Sequence, residues 1–245
     1  MSGHSKWSTI KRKKEKTDSQ RAKIFTKIGR EIAVAVREGG ADPAANSKLR
    51  DVIAKAKANN VPNDNIDRII KKASGEGGAN TYEEIVYEGY GPSGIAVVVE
   101  TLTDNRNRTA GEMRHYFDKY GGNMGQSGSV MFQFSRQGVI LIEMDGVDEE
   151  KLIEAALEAG AEDVLTEDGV FDIRTGVHEV GAVSEALASA GYTLVSAEPE
   201  YVPSTYVTLT GPDDIKNMGK MLEMFEDNDD VQAVWHNWEN ENDYE

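Results

Sequence analysis

An α+β fold is predicted by three features of the sequence. Three amphipathic helical stripes precede residue 75, and beyond a glycine-rich stretch at 74–80 the apolar period switches from helical to strand-like. Gly138–Pro203 then reads strand, helix, strand, strand, helix, strand. The architecture these predict is an N-terminal three-helix bundle followed by two α/β (ferredoxin-like) domains, one inserted in the other. The expected boundaries are 1–80 for a basic helical nucleic-acid-binding domain with its linker, 81–137 plus 204–245 for an α/β domain, and 138–203 for the inserted domain.

Residues 1–20 are lysine-rich and read as extended chain that orders only on a partner. A first helix is predicted over Asp18–Glu38. At 100° per residue Ile24, Phe25, Ile28, Ile32, Ala35 and Val36 share one side, and Lys23, Lys27, Arg30 and Arg37 share the other. Gly39-Gly40 stops it. Asp42-Pro43 reads as the next helix start, with Leu49, Val52, Ile53 and Ala56 inward and Lys48, Arg50, Lys55 and Lys57 outside. Asn59-Asn60-Val61-Pro62-Asn63 breaks the chain, and Asn63 or Asp64 is placed to cap a third helix. That helix carries Ile66, Ile69, Ile70 and Ala73 inward and Arg68, Lys71 and Lys72 outward.

Past the linker, Glu83–Tyr90 and Gly94–Thr103 read as a hairpin around Gly91-Pro92-Ser93-Gly94. A helix follows over Asn105–Tyr120, then a Gly121–Gly128 stretch too rich in glycine for regular structure, then a strand over Val130–Phe134. The inserted unit comprises strands Val139–Met144, Asp163–Leu165, Val170–Arg174 and Thr193–Glu198, with helices Glu149–Glu158 and His178–Ala190. Last come a strand (Thr205–Thr210), a helix (Pro212–Glu226) and a strand (Val231–His236). A piece of that size cannot bury a core alone, so it is expected to complete the sheet begun at residue 83.

Charge divides the chain sharply. Residues 1–80 carry 18 Lys and Arg against 9 Asp and Glu, a net of +9, whereas residues 81–245 carry 9 against 34, a net of −25. A basic head on an acidic body offers a phosphate backbone one attractive end. There is no cysteine, which removes disulfides, thiolate metal sites and cysteine nucleophiles from consideration. No apolar run approaches membrane-spanning length and no signal-peptide pattern opens the sequence, so the cytoplasm is the expected location and no membrane partner is expected. His4, His115, His178 and His236 lack metal-ligand spacing, and Glu88–Gly94 matches neither a phosphate-loop nor a dinucleotide pattern. No catalytic set, metal or cofactor is therefore expected.

The expected partner is nucleic acid. Candidate contacts in the head are Lys6, Trp7, Lys11, Arg12, Lys13, Lys14, Arg21, Lys23, Lys27, Arg30, Arg37, Lys55, Lys57, Arg68, Lys71 and Lys72. A second set is Asn105, Arg106, Asn107, Arg108 and Arg114, where a strand gives way to a helix. There Asp104 can cap, and the first-turn N–H groups and arginines can receive phosphate. The same pattern also suits a capped helix whose arginines pair with the acidic body. The glycine loop after it favours a surface that contacts a nucleic-acid backbone.

GHSKW, KIFTKIGREI, NNVPNDNI, YEGYGPSG, TDNRNRT, GGNMGQSGSV and ALEAGAEDV, in this order, resemble the YebC family over nearly the whole chain. The resemblance implies a helical N-terminal domain and two α/β domains, one inserted in the other. It also implies a regulator of gene expression, with two readings for its partner. One is DNA, as in members labelled transcriptional regulators, to which the GHSKW start is closer. The other is ribosomal RNA, as in members that resemble ribosome-associated factors helping synthesis through proline runs; the acidic body would then face basic ribosomal proteins.

Overall fold

The computed structural model describes residues 18–75, 81–167 and 169–244. Helices α1 (Asp18–Gly39), α2 (Ser47–Ala58) and α3 (Asn63–Ser74) close one apolar cluster, in which Ile28, Ile32, Ala35 and Val36 meet Leu49, Val52, Ala56 and Ile66. Helices as short as α2 and α3 are marginal alone, so it is burial, about 1.5–3 kcal/mol for each Ile, Leu or Val, that holds them.

Two helix starts differ from the expectation. Residues 43–45 form a turn, and α2 begins at Ser47 behind Asn46. The Asn46 side chain accepts the Leu49 N–H (3.0 Å) and donates to the carbonyls of Ala35 (2.7 Å) and Gly40 (2.8 Å). One buried amide thus ends α1 and starts α2, a double role Pro43 cannot fill. Neither Asn63 nor Asp64 caps α3, which starts behind Pro62 without a side-chain cap.

Strands β1 (Glu83–Tyr90), β2 (Ala96–Thr103), β3 (Asn123–Met124) and β8 (Val231–His236) form the first sheet, antiparallel in the order β3-β1-β2-β8. Its hairpin turns through Ser93 (φ 51°) and Gly94 (φ 83°). The stretch read as too glycine-rich for regular structure contains the short strand β3. Glycine is what admits it: a Cβ on Gly122 would lie 2.4 Å from the Tyr90 carbonyl oxygen, and one on Gly89 would lie 2.6 Å from that of Asn123. Helices α4 (Arg106–Lys119) and α7 (Pro212–Asp227) cover one face, burying Met113, Phe117, Met221 and Phe225 against Val97 and Val99.

Thr205–Thr210 is not a strand; it makes one isolated bridge, Val207 to Trp238. The Asn240 side chain takes both backbone groups of Leu209, at 2.8 Å each, and so replaces the ladder. Val130–Phe134 is likewise no strand of its own. Met131–Gln133 is a 3₁₀ turn, and β4 (Phe134–Glu143) starts after it and runs on as a single strand.

With β5 (Asp163–Glu167), β6 (Val170–Thr175) and β7 (Leu194–Pro203), β4 builds the second sheet, antiparallel in the order β5-β6-β4-β7. Helices α5 (Glu149–Glu158) and α6 (Val180–Ser189) pack on one face over Ile140, Ile142, Phe171 and Ile173. This is the ferredoxin-like strand order, and the molecule is α+β. The sheets meet where the Tyr201 ring sits edge-on to Trp235, centroids 4.9 Å apart, beside Phe134 and Val130.

Candidate nucleic-acid interface

The basic side of α1 faces the chain's own acidic body. Asp230, three residues past α7 and almost wholly buried, collects donors from three elements. Arg30 of α1 donates to Oδ1, and the same Nη1 reaches the Leu102 carbonyl at 2.9 Å. Oδ2 accepts from Arg108 (2.7 Å), Thr109 (2.6 Å) and Thr103 (3.1 Å). Burial alone would raise this carboxyl's pKa, but the hydrogen bonds from Arg108, Thr109 and Arg30 outweigh it and hold it down at about 2. The Arg108 guanidinium is in turn held charged by its hydrogen bonds to Asp230 and Asp104.

Around this node Lys27 donates to the Glu226 carbonyl (2.8 Å) and Lys23 pairs with Asp227 (2.7 Å), while the Arg30 guanidinium lies 5.3 Å from the Tyr82 ring centre. Lys55 lies between Glu31 (3.0 Å) and Glu198 (3.5 Å), which brings α2 against the second sheet. Lys48, which was not among the candidates, bridges Glu38 and Glu84.

The candidate residues therefore fall into separate groups. Lys6, Trp7, Lys11, Arg12, Lys13 and Lys14 lie outside the described residues. Lys23, Arg30, Lys55 and Arg108 are turned toward acidic partners within the chain, and Lys27 toward the Glu226 carbonyl. Arg106 is exposed but 3.0 Å from Glu83, and Arg68 donates to Asn65 at 3.1 Å. Asn105, rather than Asp104, caps α4, its side chain accepting the Arg108 N–H at 3.1 Å. Arg21, Arg37, Lys57, Lys71, Lys72, Asn107 and Arg114 are exposed. Lys57 and Lys71 flank a groove of about 670 Å³ between α2 and α3, floored by Ile53, Ile66 and Ile70. Arg37, Lys57, Lys71 and Lys72 make no ion pair among the described residues.

Sequence reasoning missed Asp230, because it sits in the acidic run Glu226–Asp230 that reads as a solvated helix end. Its partners are up to 200 positions away, so no local pattern announces them. It also missed Glu88, buried in β1, whose carboxylate accepts the N–H groups of Gly128 (2.7 Å), Val130 (2.9 Å) and Met131 (2.8 Å). Among the described residues no group of three or more His, Cys, Asp or Glu is placed to hold a metal ion, and no helix is long and apolar enough to cross a membrane.

The chain is similar to known proteins along nearly its whole length. A family model described as the TACO1/YebC protein N-terminal domain matches residues 5–76, and one described as the TACO1/YebC second and third domain matches residues 82–238. A probable transcriptional regulatory protein of Acetivibrio thermocellus is 59% identical over 239 residues, covering 97% of this chain and 99% of the relative. One of Finegoldia magna is 56% identical over 241 residues, covering 98% and 100%. The crystal structure of a conserved hypothetical protein from Aquifex aeolicus superposes with a TM-score of 0.83 at 44% identity, covering 91% of this chain and 92% of that one. With both family models matched in order and relatives this similar along their whole length, the chain belongs to the TACO1/YebC family.

Proposed function

We propose that the chain is a non-enzymatic, nucleic-acid-binding regulator of gene expression, with DNA as its ligand and transcription as the step it regulates. The observation that carries this reading is the selective pairing of the head's cations. Those that face the body have acidic partners, while Arg37, Lys57, Lys71 and Lys72 stay exposed without an ion pair among the described residues of an otherwise acidic chain. Exposed cations on all three helices suit contact with a phosphate backbone. The two bacterial relatives are named probable transcriptional regulatory proteins, which supports the same class.

Phosphate contact is salt-dependent, because each neutralised phosphate releases counterion. Duplex DNA titrated across a salt series should weaken along a steep log–log line. The triple variant Lys57→Gln, Lys71→Gln, Lys72→Gln should flatten that line by roughly 0.9 for each phosphate it no longer neutralises. A flat response in the parent protein would refute the reading. Since phosphates carry no sequence directly, unrelated duplexes should bind alike; discrimination of ~10³ or more would show a base-reading surface instead.

A second reading has a specific observation in its favour. A body of net −25 is repelled by DNA that runs past the head, but it complements basic ribosomal proteins. In that case the same cations contact ribosomal RNA and the chain acts in translation. Crosslinking in cells, followed by sequencing of both bound DNA and bound RNA, separates the two.

A further inference from the structure

Phe132 is the most exposed large apolar side chain among the described residues, at 76%. Its exposure does not come from a loose loop. The Met131 N–H is held by the buried Glu88 carboxylate, and the Gln133 carbonyl accepts from the Ser204 N–H (2.8 Å) and hydroxyl (3.0 Å). The Gln133 side chain also donates to the Tyr90 hydroxyl at 3.2 Å, and that hydroxyl donates to the Ser129 carbonyl at 3.2 Å. Both neighbours of Phe132 are thus pinned through their backbones to β1 and to the end of β7, and the ring is presented outward from a fixed turn.

The segment that presents it has an unusual charge. Between Lys119 and Ile142 there is no Asp or Glu, in a body that holds 34 of them. The nearest acidic group in the turn's own hydrogen bonding is Glu88, which is buried and accepts three N–H groups. Lys119 and Arg136 are the segment's cations, and Arg136 is exposed four residues along the chain from Phe132. Its guanidinium lies 5.7 Å from the Tyr201 ring centre.

We infer that Phe132 is a stacking platform for an unpaired nucleobase, so that this turn is a single-strand site separate from the basic helical head. This deepens the nucleic-acid reading and rests on it. A flat ring held with its backbone fixed costs little ordering on binding, and every base has a face to offer it. A base inside a duplex is already covered on both faces, so the site selects single strands. A protein partner fits less well. A stable protein interface buries about 800 Å² per side around an apolar centre, whereas Gln126, Ser127 and Ser135, exposed on either side of Phe132 in the chain, are polar. The segment itself also brings no carboxylate for a basic protein to hold.

The test uses the full chain and two probes, a labelled unstructured oligouridine and a duplex of equal length. Phe132→Ala should weaken oligouridine binding about tenfold, the range of one missing base stack, and leave duplex binding unchanged. Phe132→Trp should restore it. Ultraviolet crosslinking of bound oligouridine should place an adduct on Phe132. An unaltered oligouridine affinity in Phe132→Ala with the adduct elsewhere overturns this inference while leaving the head's role intact. Equal weakening for both probes assigns Phe132 to the fold and overturns it too, a conclusion that thermal melting of the variant makes visible. Absence of binding of either probe by the parent chain overturns both readings.

Discussion

At the scale of single residues, Asp230 shows how an acidic side chain in an acidic chain ties distant elements together. It is 3% exposed and accepts from two arginines and two threonines. Its pKa is lowered from 3.8 to about 2, so its contribution is present in full above the unfolded value near 4 and is lost as pH falls through the folded one. That contribution is at most about 2 kcal/mol. Chemical denaturation between pH 5 and pH 2 should show stability falling more steeply in the parent than in Asp230→Asn, which has no proton to take up at this site. Matching slopes would show that Asp230 does not couple to folding. The variant should also be less stable at pH 7, because Arg30 and Arg108 lose their shared counter-charge.

At the scale of elements, α1 does two jobs with two faces. Its apolar side closes the helical bundle and its basic side docks the bundle on the body. The contacts along that side are unequal. Lys23–Asp227 lies in solvent, with side chains 36% and 67% exposed, and such pairs contribute about 0–1 kcal/mol. Arg30–Asp230 is at 15% and 4%, and removing one partner of a buried pair costs about 3–5 kcal/mol. Lys23→Ala should therefore barely move the unfolding midpoint, and 1 M salt should absorb the difference. Arg30→Ala should lower the midpoint clearly at any salt concentration. Equal effects of the two substitutions would mean that docking is a diffuse charge attraction rather than a specific node.

At the scale of the whole molecule, the strand order shows a sheet left and re-entered. β1, β2 and β3 come before residue 125 and β8 after residue 230, while every strand of the second sheet lies between 134 and 203. We expect residues 134–203 to unfold cooperatively when expressed alone, since β4, β6 and β7 with α5 and α6 enclose their own cluster. The start at Phe134 matters, because Phe134–Gln137 pairs with Glu200–Pro203 and a fragment begun at 138 would leave the end of β7 unpaired. A fragment with no cooperative transition would show that the Tyr201–Trp235 contact with the first sheet is required for folding.

The helices of the head, the hairpin and the strand–helix order of the second sheet were legible in the sequence by itself, because each follows from a period of apolar residues within one short segment. Ile28, Ile32, Ala35 and Val36 repeat at helical spacing and are buried at that spacing. The opposed charges of head and body were legible too, from counting. Where those charges go was decided only by the tertiary structure. Periodicity marks Lys23, Lys27 and Arg30 as a face but does not say what the face meets, and their acidic partners are about 200 positions away. The same holds for Asn46 capping α2, Asn240 replacing a strand ladder, and Glu88 fixing the turn that presents Phe132. In each case one polar side chain satisfies backbone or charge that the fold has brought to it. Such a partnership leaves no local trace, since burial and hydrogen bonding depend on which distant segments meet, whereas an apolar period is written along the chain itself.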